Sequence, residues 1–358
     1  MRLLFISRAF PPLVGGIEQQ NLEISRSLSS LCSTTIIANS RGKYFLPLFL
    51  PYALLRALWS MRHYDAVLLG DGVLAIVGYL LKRLTGKPVF SIVHGLDLTY
   101  QNTLYQKLWV GFFMPRLDKL IAVGNETIRQ GVLRGIPLSH FVFIPNGVAK
   151  PPTPSGYTRH DLEILAGRKL KGRVLLTLGR LVKRKGTVWF IENVVGMLDS
   201  NLTYIIAGAG NEENAIRDAI DKHGLADRIV FLGGISDQQK RVLYETADLF
   251  IQPNIPVDGD IEGFGLVVLE AAAYGIPVVA SRLEGLKDAI QEGNNGFLVE
   301  SMNAAAFKTR IEALLDDSGS LQKIGTRAQE FVASHYSWDS IARLYLDEIG
   351  YKQLHQPG

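Results

Sequence analysis

Twelve short apolar runs, separated by stretches of helical patterning, constrain this chain more than any other feature. In the first half they read RLLFIS (2–7), STTIIAN (33–39), AVLLG (66–70), PVFSIVH (88–94), KLIAVG (119–124) and FVFIPN (141–146). In the second they read VLLTLGR (174–180), TYIIAG (203–208), IVFLGG (229–234), LFIQP (249–253), PVVAS (277–281) and GFLVE (296–300). Continuous apolar runs alternating with helices mean parallel sheets covered on both faces. The pattern occurs twice, with the Pro-rich AKPPTPSGYTRH between its two halves. A chain of 358 residues also exceeds what one core supports. The expected fold is α/β: two doubly wound, Rossmann-like domains facing across a cleft, with ligands at the carboxyl ends of the strands. The expected boundaries are 1–150, 151–336 and a terminal segment 337–358. In that segment SWDSIARLYLDEIG (337–350) reads as a helix N-capped by Ser337, with Ile341, Leu344, Tyr345 and Ile349 apolar at helical spacing. Sequence alone does not decide which domain it packs on.

Charge narrows the function. Residues 1–150 hold 16 Lys and Arg against seven Asp and Glu, whereas the remainder is acidic, within a net charge of +4. The first half is therefore expected to meet something anionic. Nucleic acid is not that partner, because no aromatic-interleaved RNA motif is present and the second half is acidic. The single Cys32 forms no internal disulfide and points to a reducing, cytoplasmic setting. MRLLFISRAF has too short an apolar run for a signal peptide, and no stretch reaches the ~18 uninterrupted apolar residues of a span.

Five stretches carry chemistry. In FPPLVGGIEQQ, Gly15 and Gly16 precede a helix start, where backbone N–H groups approach an anion; the same pattern also makes an ordinary tight turn. His94 ends a core strand, a position of catalytic side chains and also of structural histidines. In LGRLVKRKG, Arg180 leaves the strand end and Lys185 precedes a helix, a corner suited to a diphosphate; Lys183 and Arg184 fit a solvated basic turn. The turns around Gly208 and Ile235 expose backbone suited to a ribose or flat base. A third glycine is missing after Gly208-x-Gly210, so dinucleotide binding is poorly supported.

The fifth stretch is DGDIEGFGLVVLEAAAYGIPVVAS (258–281). Gly275 reads as a C′ cap, so a helix runs roughly from Gly265 to Tyr274. Glu262 then lies in the preceding loop, with Gly263 and Phe264, and Glu270 within the helix. Amides of Gly265, Leu266 and Val267 are helix-start donors ready for an anion. Two carboxylates on that rim accept hydrogen bonds from hydroxyl groups flanking it. Glu262 also suits the helix dipole, and Glu270 an exposed helical position, but its apolar surroundings demand partners for a buried carboxylate.

Taken in order, Gly15-Gly16, His94, IPNGV (144–148), GRLVKRKG, AGAG and EGFGLVVLEAAAYGIPVVAS resemble the retaining GT-B glycosyltransferases with an E-x7-E motif, the family 4 enzymes. The resemblance covers essentially the whole chain. It implies two domains that close over a nucleotide-sugar donor, retention of anomeric configuration, and no metal or cofactor, the donor being a substrate. It implies that Arg180 and Lys185 neutralise the donor diphosphate, that Glu270 binds the ribose, and that Glu262 holds hydroxyls of the transferred sugar. Gly263, Phe264, Gly265, Leu266 and Val267 would approach phosphate and sugar, Gly208 and Ile235 the ribose and base, Gly15 and Gly16 the phosphate, and His94 the sugar. It also implies that the terminal helix crosses back to the N-terminal domain. Two positions depart from the family pattern: Gly124 where Ser is common, and Ala149 where Asp is common.

DGDIEGFG is similar to loops of GDP-mannose-dependent mannosyltransferases, with UDP-sugars (UDP-glucose or UDP-GlcNAc) the alternative donors. The implied acceptor is a glycan or a polyprenyl-pyrophosphate-linked glycan, in polysaccharide or glycolipid synthesis. KYFLPLFLPYALLRALWSMRHYD (43–65) places aromatics and leucines beside Lys43, Arg56, Arg62 and His63, and reads as too short and Pro-broken to span a bilayer. It suits an anionic membrane interface, and equally an internal helix with its cations solvated. A sugar-nucleotide epimerase or a phosphorylase shares such an architecture, the latter needing a pyridoxal phosphate lysine. A catalytically silent scaffold is a further reading, against which intact Glu262, Glu270, Arg180, Lys185 and His94 argue.

Overall fold

The structure, a computed structural model, describes residues 1–13 and 15–354. The chain divides into two compact units, Met1–Ala149 with Tyr336–Gly358, and Lys150–His335. All twelve expected runs are strands, trimmed where the backbone leaves the sheet to form a loop.

In the first unit β1 (Arg2–Ser7), β2 (Ser33–Ala38), β3 (Ala66–Leu69), β4 (Val89–Val93), β5 (Lys119–Ala122) and β6 (Phe141–Phe143) form one parallel sheet in the order β2-β1-β3-β4-β5-β6. Strand order reverses between β1 and β3, so the carboxyl ends of β1, β3 and β4 carry the first unit's polar residues. Alternate side chains of β1 feed two cores. Leu4 and Ile6 join Val67 and Leu69 under the helices α2 (Leu46–Ser60) and α3 (Ala75–Thr85). Leu3 and Phe5 join Ala66 and Leu68 on the other face, under α1 (Gly16–Leu31).

The second unit repeats the architecture. Its strands β7 (Arg173–Leu178), β8 (Leu202–Ala207), β9 (Ile229–Gly233), β10 (Leu249–Gln252), β11 (Val278–Ser281) and β12 (Phe297–Val299) are parallel, in the order β12-β11-β10-β7-β8-β9. The reversal falls between β7 and β10. The helices that matter below are α4 (Asp237–Thr246) and α5 (Leu266–Ala273). Helix α5 ends as its sequence predicts: Gly275 has φ 80°, and Ile276 N–H donates to Ala271 O at 3.1 Å.

The terminal helix α6 (Trp338–Leu354) belongs to the first unit. Ser337 Oγ accepts from Ser340 N–H at 3.2 Å, the N-cap bond its sequence predicts. Ile341, Ala342, Tyr345 and Ile349 are buried with Ile24 and Leu28 of α1. Leu344, expected on this stripe, is instead 45% exposed, because the buried arc is completed by Ala342.

Helix α2 corrects a second expectation. The prolines do not break it: Pro47 occupies its first turn and Pro51 sits inside a continuous helix. Proline costs one backbone donor there, and burial of Phe49, Ala53 and Ala57 against the sheet holds the helix together. Replacing Ile341 by Ala is expected to lower unfolding free energy by roughly 2–5 kcal/mol, and Leu344 by Ala to change it by no more than about 0.5 kcal/mol, by denaturant titration.

Candidate active site

Three strand ends in the second unit are tied together by backbone. Gly179 N–H donates to Ala207 O at 3.1 Å, Leu181 N–H to Ala209 O at 2.9 Å, and Gly208 N–H to Gly233 O at 2.7 Å. Gly208, at φ 135°, lies so close to the Gly179 carbonyl that a Cβ would not fit. Ile235 is half-buried in the next turn, where Ser236 and Gln239 cap the start of α4 reciprocally.

Beyond β7 the basic segment folds as one turn of 3-10 helix, Lys183–Lys185, closed by Gly186 at φ 67°. The turn leaves Lys183 exposed and sends Arg184 and Lys185 inward, 6% and 7% exposed. The expectation of a solvated Arg184 is therefore corrected. One oxygen of Glu262, Oε2, accepts from Arg184 Nη1 at 2.5 Å, Lys185 Nζ at 2.6 Å and Asn254 Nδ2 at 3.0 Å. Arg184 Nε also donates to Asp260 Oδ1 at 3.0 Å. Burial pushes the Glu262 carboxyl up, but Lys185 and Arg184 outweigh it and hold the pKa down at about 2. Burial lowers the pKa of Lys185, opposed by the Glu262 charge. The other oxygen of Glu262, Oε1, has no partner among the described residues.

The Glu262 backbone is clamped as well. Its N–H donates to Glu284 Oε2 at 2.5 Å, and its carbonyl accepts from Gly285 N–H at 3.1 Å. Glu284 makes its bond from φ 44°, an uncommon left-handed conformation for a non-glycine residue. Phe264 is buried between half-buried Gly263 and Gly265, whose φ of 87° turns the chain into α5 at Leu266 and Val267. One turn on, Glu270 Oε2 accepts from Lys240 Nζ at 2.6 Å and Tyr244 Oη at 3.0 Å, both from α4. Tyr244 is buried and stacked on Tyr274 with centroids 5.0 Å apart. Burial and the Glu270 charge raise its hydroxyl pKa, so it stays a donor. Glu270 Oε1 likewise has no partner among the described residues.

Arg180 is exposed and makes no ion pair among the described residues. With Thr177, Lys185, Thr187 and Gln252 it lines a narrow recess at the end of β7. Cations, helix start and anchored carboxylates thus meet around the strand-order reversal.

In the first unit His94 Nε2 lies 3.0 Å from Gly70 O, so the Nε2–H tautomer donates there and leaves Nδ1 as an acceptor. The Asp97 carboxylate accepts the backbone N–H groups of His94, Gly95 and Gly72, each at 3.0 Å, and so fixes the loop that bears the histidine. Beside it fully buried Asp71 pairs with Arg8 Nε at 2.9 Å. Burial raises the Asp71 carboxyl pKa, with the Arg8 charge opposing. A Cβ on Gly16 would meet only open space, whereas Gly15 is extended and needs no glycine for its conformation. Gly124, in place of the common Ser, leaves the helix Asn125–Leu133 without a side-chain cap.

Sequence reasoning did not single out Arg184, Asn254, Lys240, Tyr244, Glu284 or Asp97. The one readable signal is the i, i+4 pairing of Lys240 and Tyr244 on α4. A pH prediction follows from Glu262. Its folded pKa of about 2 lies below the ordinary 4.5, so its contribution to stability is complete above pH 4.5 and is lost as pH falls through about 2. Glu262→Gln is expected to cost about 3 kcal/mol or more at neutral pH, since two buried cations lose their counter-charge, and to flatten the stability profile across that acid window. Denaturant titrations at a series of pH values measure both effects.

The model of glycosyl transferases group 1 matches residues 165–331, and that of glycosyltransferase family 4 matches residues 14–150. The chain is 30% identical over 273 residues to the GDP-mannose-dependent alpha-(1-6)-phosphatidylinositol monomannoside mannosyltransferase of Mycolicibacterium smegmatis, covering 74% of this chain and 70% of that protein. It is 32% identical over 265 residues to the phosphatidyl-myo-inositol mannosyltransferase of Mycobacterium leprae, covering 73% and 66%. Matches to several relatives span between 43% and 66% of their length. The crystal structure of Anabaena HepE in complex with UDP shares the fold, with a TM-score of 0.77 over 98% of this chain and 100% of that chain at 18% identity. The chain belongs to the family 4, group 1 glycosyltransferases and has their GT-B fold.

Proposed function

We propose that this protein is a retaining, metal-independent glycosyltransferase that moves a hexose, mannose from GDP-mannose, onto a glycan or lipid-linked acceptor in polysaccharide or glycolipid synthesis. The observation that carries this reading is the pair Glu262 and Glu270. Each is anchored by two or more donors through Oε2, and each leaves Oε1 without a partner among the described residues. Held carboxylates with a spare acceptor oxygen suit hydroxyl groups, and the start of α5 between them suits the diphosphate that links two sugars. In this reading Glu262 takes hydroxyls of the transferred sugar and Glu270 those of the ribose. Gly208 and Ile235 lie along the ribose and base, and Gly263, Phe264, Gly265, Leu266 and Val267 along phosphate and sugar. In the first unit the residues assigned to the donor are Gly15, Gly16 and His94.

Charge development sets the mechanism. As the bond from C1 to the diphosphate oxygen breaks, negative charge grows on the leaving group and positive charge on the sugar carbon. Arg180, without an ion-pair partner among the described residues, and the helix-start amides stabilise the former. Lys185 serves it as well, and first holds Glu262 in place. A carboxylate with a pKa of about 2 is a weak base and a poor nucleophile, so Glu262 suits hydrogen bonding rather than covalent catalysis. The acceptor oxygen therefore bonds to C1 from the face that the diphosphate leaves, and its proton passes to the departing phosphate oxygen.

The donor assignment rests on the mannosyltransferase relatives: both names specify phosphatidylinositol lipids, and that of the Mycolicibacterium smegmatis enzyme specifies GDP-mannose. GDP present at ~100 times its dissociation constant is expected to stabilise the protein by about 2.7 kcal/mol, and GDP-mannose to be turned over when nucleotide sugars are screened. Stabilisation by UDP and not GDP overturns the assignment. Arg180→Ala is expected to lower kcat about 100-fold or more, and Glu270→Gln to act mainly on donor KM. Near-normal turnover by the Arg180 variant would refute the proposed role of that cation.

A further inference from the structure

The helical layer on one face of the first sheet has an outer surface that its core does not explain. Helix α2, α3 and the π-helix Gln106–Phe113 cover that face, with Phe49, Ala53, Ala57, Leu81 and Val110 turned into a single core cluster. On the opposite side of α2, Leu48, Tyr52, Leu55 and Trp59 are 65%, 53%, 67% and 86% exposed, and Tyr44, in the 3-10 turn Lys43–Phe45 just before the helix, is 89% exposed. Their spacing of four, four, three and four residues makes one continuous stripe, about 22 Å long. Leu104, Leu108 and Phe112 repeat the pattern along the π-helix and the turn before it, 65%, 38% and 36% exposed.

The charge around these stripes has one sign. Residues 41–117 contain nine Lys and Arg and three Asp, with no Glu. Of the aspartates, Asp71 and Asp97 are buried, and Asp65 accepts from the Arg2 backbone N–H at 2.7 Å. Arg41, Lys43, Arg56, Arg62, Lys107 and Arg116 are all exposed. Arg116 stacks over Phe112 with its guanidinium carbon 3.7 Å from the ring centroid, and Arg41 over Phe45 at 4.9 Å. Exposed leucines and aromatics rimmed by cations, with no exposed carboxylate beyond Asp65, match the boundary between acyl chains and anionic headgroups.

We propose that this layer docks flat on an anionic lipid bilayer, with the α2 stripe, and Trp59 above all, buried among the headgroups and the π-helix stripe beside it. The segment Lys43–His63 is long and apolar enough to cross a membrane, with a mean hydropathy of 1.2. A span is ruled out by the other face of the same helix, since withdrawing Phe49, Ala53 and Ala57 would strip the core. A second copy of the chain docking on this face by a two-fold axis would set cations against cations, which disfavours it. The inference does not depend on which sugar is transferred.

The test is sedimentation of the full chain with vesicles of phosphatidylcholine alone or mixed with phosphatidylglycerol. Binding to the mixed vesicles, weakened about tenfold or more by added salt, is expected. The emission of wild type should shift to the blue on binding, and that of Trp59→Phe should not. Leu55→Glu with Trp59→Glu, and separately Arg56→Glu with Arg62→Glu, should each lower vesicle binding about tenfold or more while leaving the thermal transition and donor hydrolysis unchanged. Equal binding by wild type and these variants, or equal salt-insensitive binding to both kinds of vesicle, overturns the proposal. So does lipid-free self-association that the same substitutions abolish, which would make the face an interface between copies.

Discussion

A carboxylate buried between two cations organises the second unit. Taking Glu262, Arg184 and Lys185 out of water carries a desolvation cost that an apolar cluster would not, so such a cluster is a poor way to gain stability. What it provides is position. Arg184 and Lys185 come from the turn after β7, Asn254 from the end of β10, and Glu262 from the loop that enters α5. Those strands flank the reversal of strand order, so the ion cluster ties together the two loops between which a parallel sheet opens a binding crevice. The geometry of Oε1 is set by three donors on Oε2 rather than by the flexibility of a surface glutamate.

The same cluster leaves charge to spare. Two buried cations meet Glu262 and a half-exposed Asp260, so they are balanced, and Arg180 stands beside them without an ion-pair partner among the described residues. The recess at the end of β7 is lined by both Arg180 and Lys185. Positive potential therefore gathers where α5 begins, and the helix start adds its own partial charge. An anion placed there meets an environment already oriented toward it, without a rearrangement of side chains.

Much of this was readable from sequence because parallel strands are buried on both faces. RLLFIS, VLLTLG and TYIIAG have no polar alternation to obscure them, and each became a strand. The E-x7-E stretch was readable as a loop followed by a helix because glycines mark both ends. The partner of Glu262 was not readable. Lys183, Arg184 and Lys185 are adjacent cations, and only the hand of a single 3-10 turn decides that the last two point inward. Glu284 gave no signal either, since the Glu262 backbone N–H that its carboxylate accepts lies 22 residues away in sequence. Prolines misled in α2, where packing of Phe49, Ala53 and Ala57 outweighs the missing donor of Pro51.

The two glutamates of the motif are close in sequence but differ in environment. Glu262 is buried and ion-paired in low dielectric, where added salt screens little. Glu270 and Lys240 are 30% and 35% exposed in their side chains, so their attraction weakens as ionic strength rises. Tyr244, buried and uncharged, keeps its hydrogen bond to Glu270 regardless. One carboxylate is thus fixed by charge and the other by a neutral hydroxyl with a screenable cation beside it. The eight-residue spacing does more than separate them along a rim. It sets one against the β7 turn and the other against α4, two parts of the fold that respond to conditions independently.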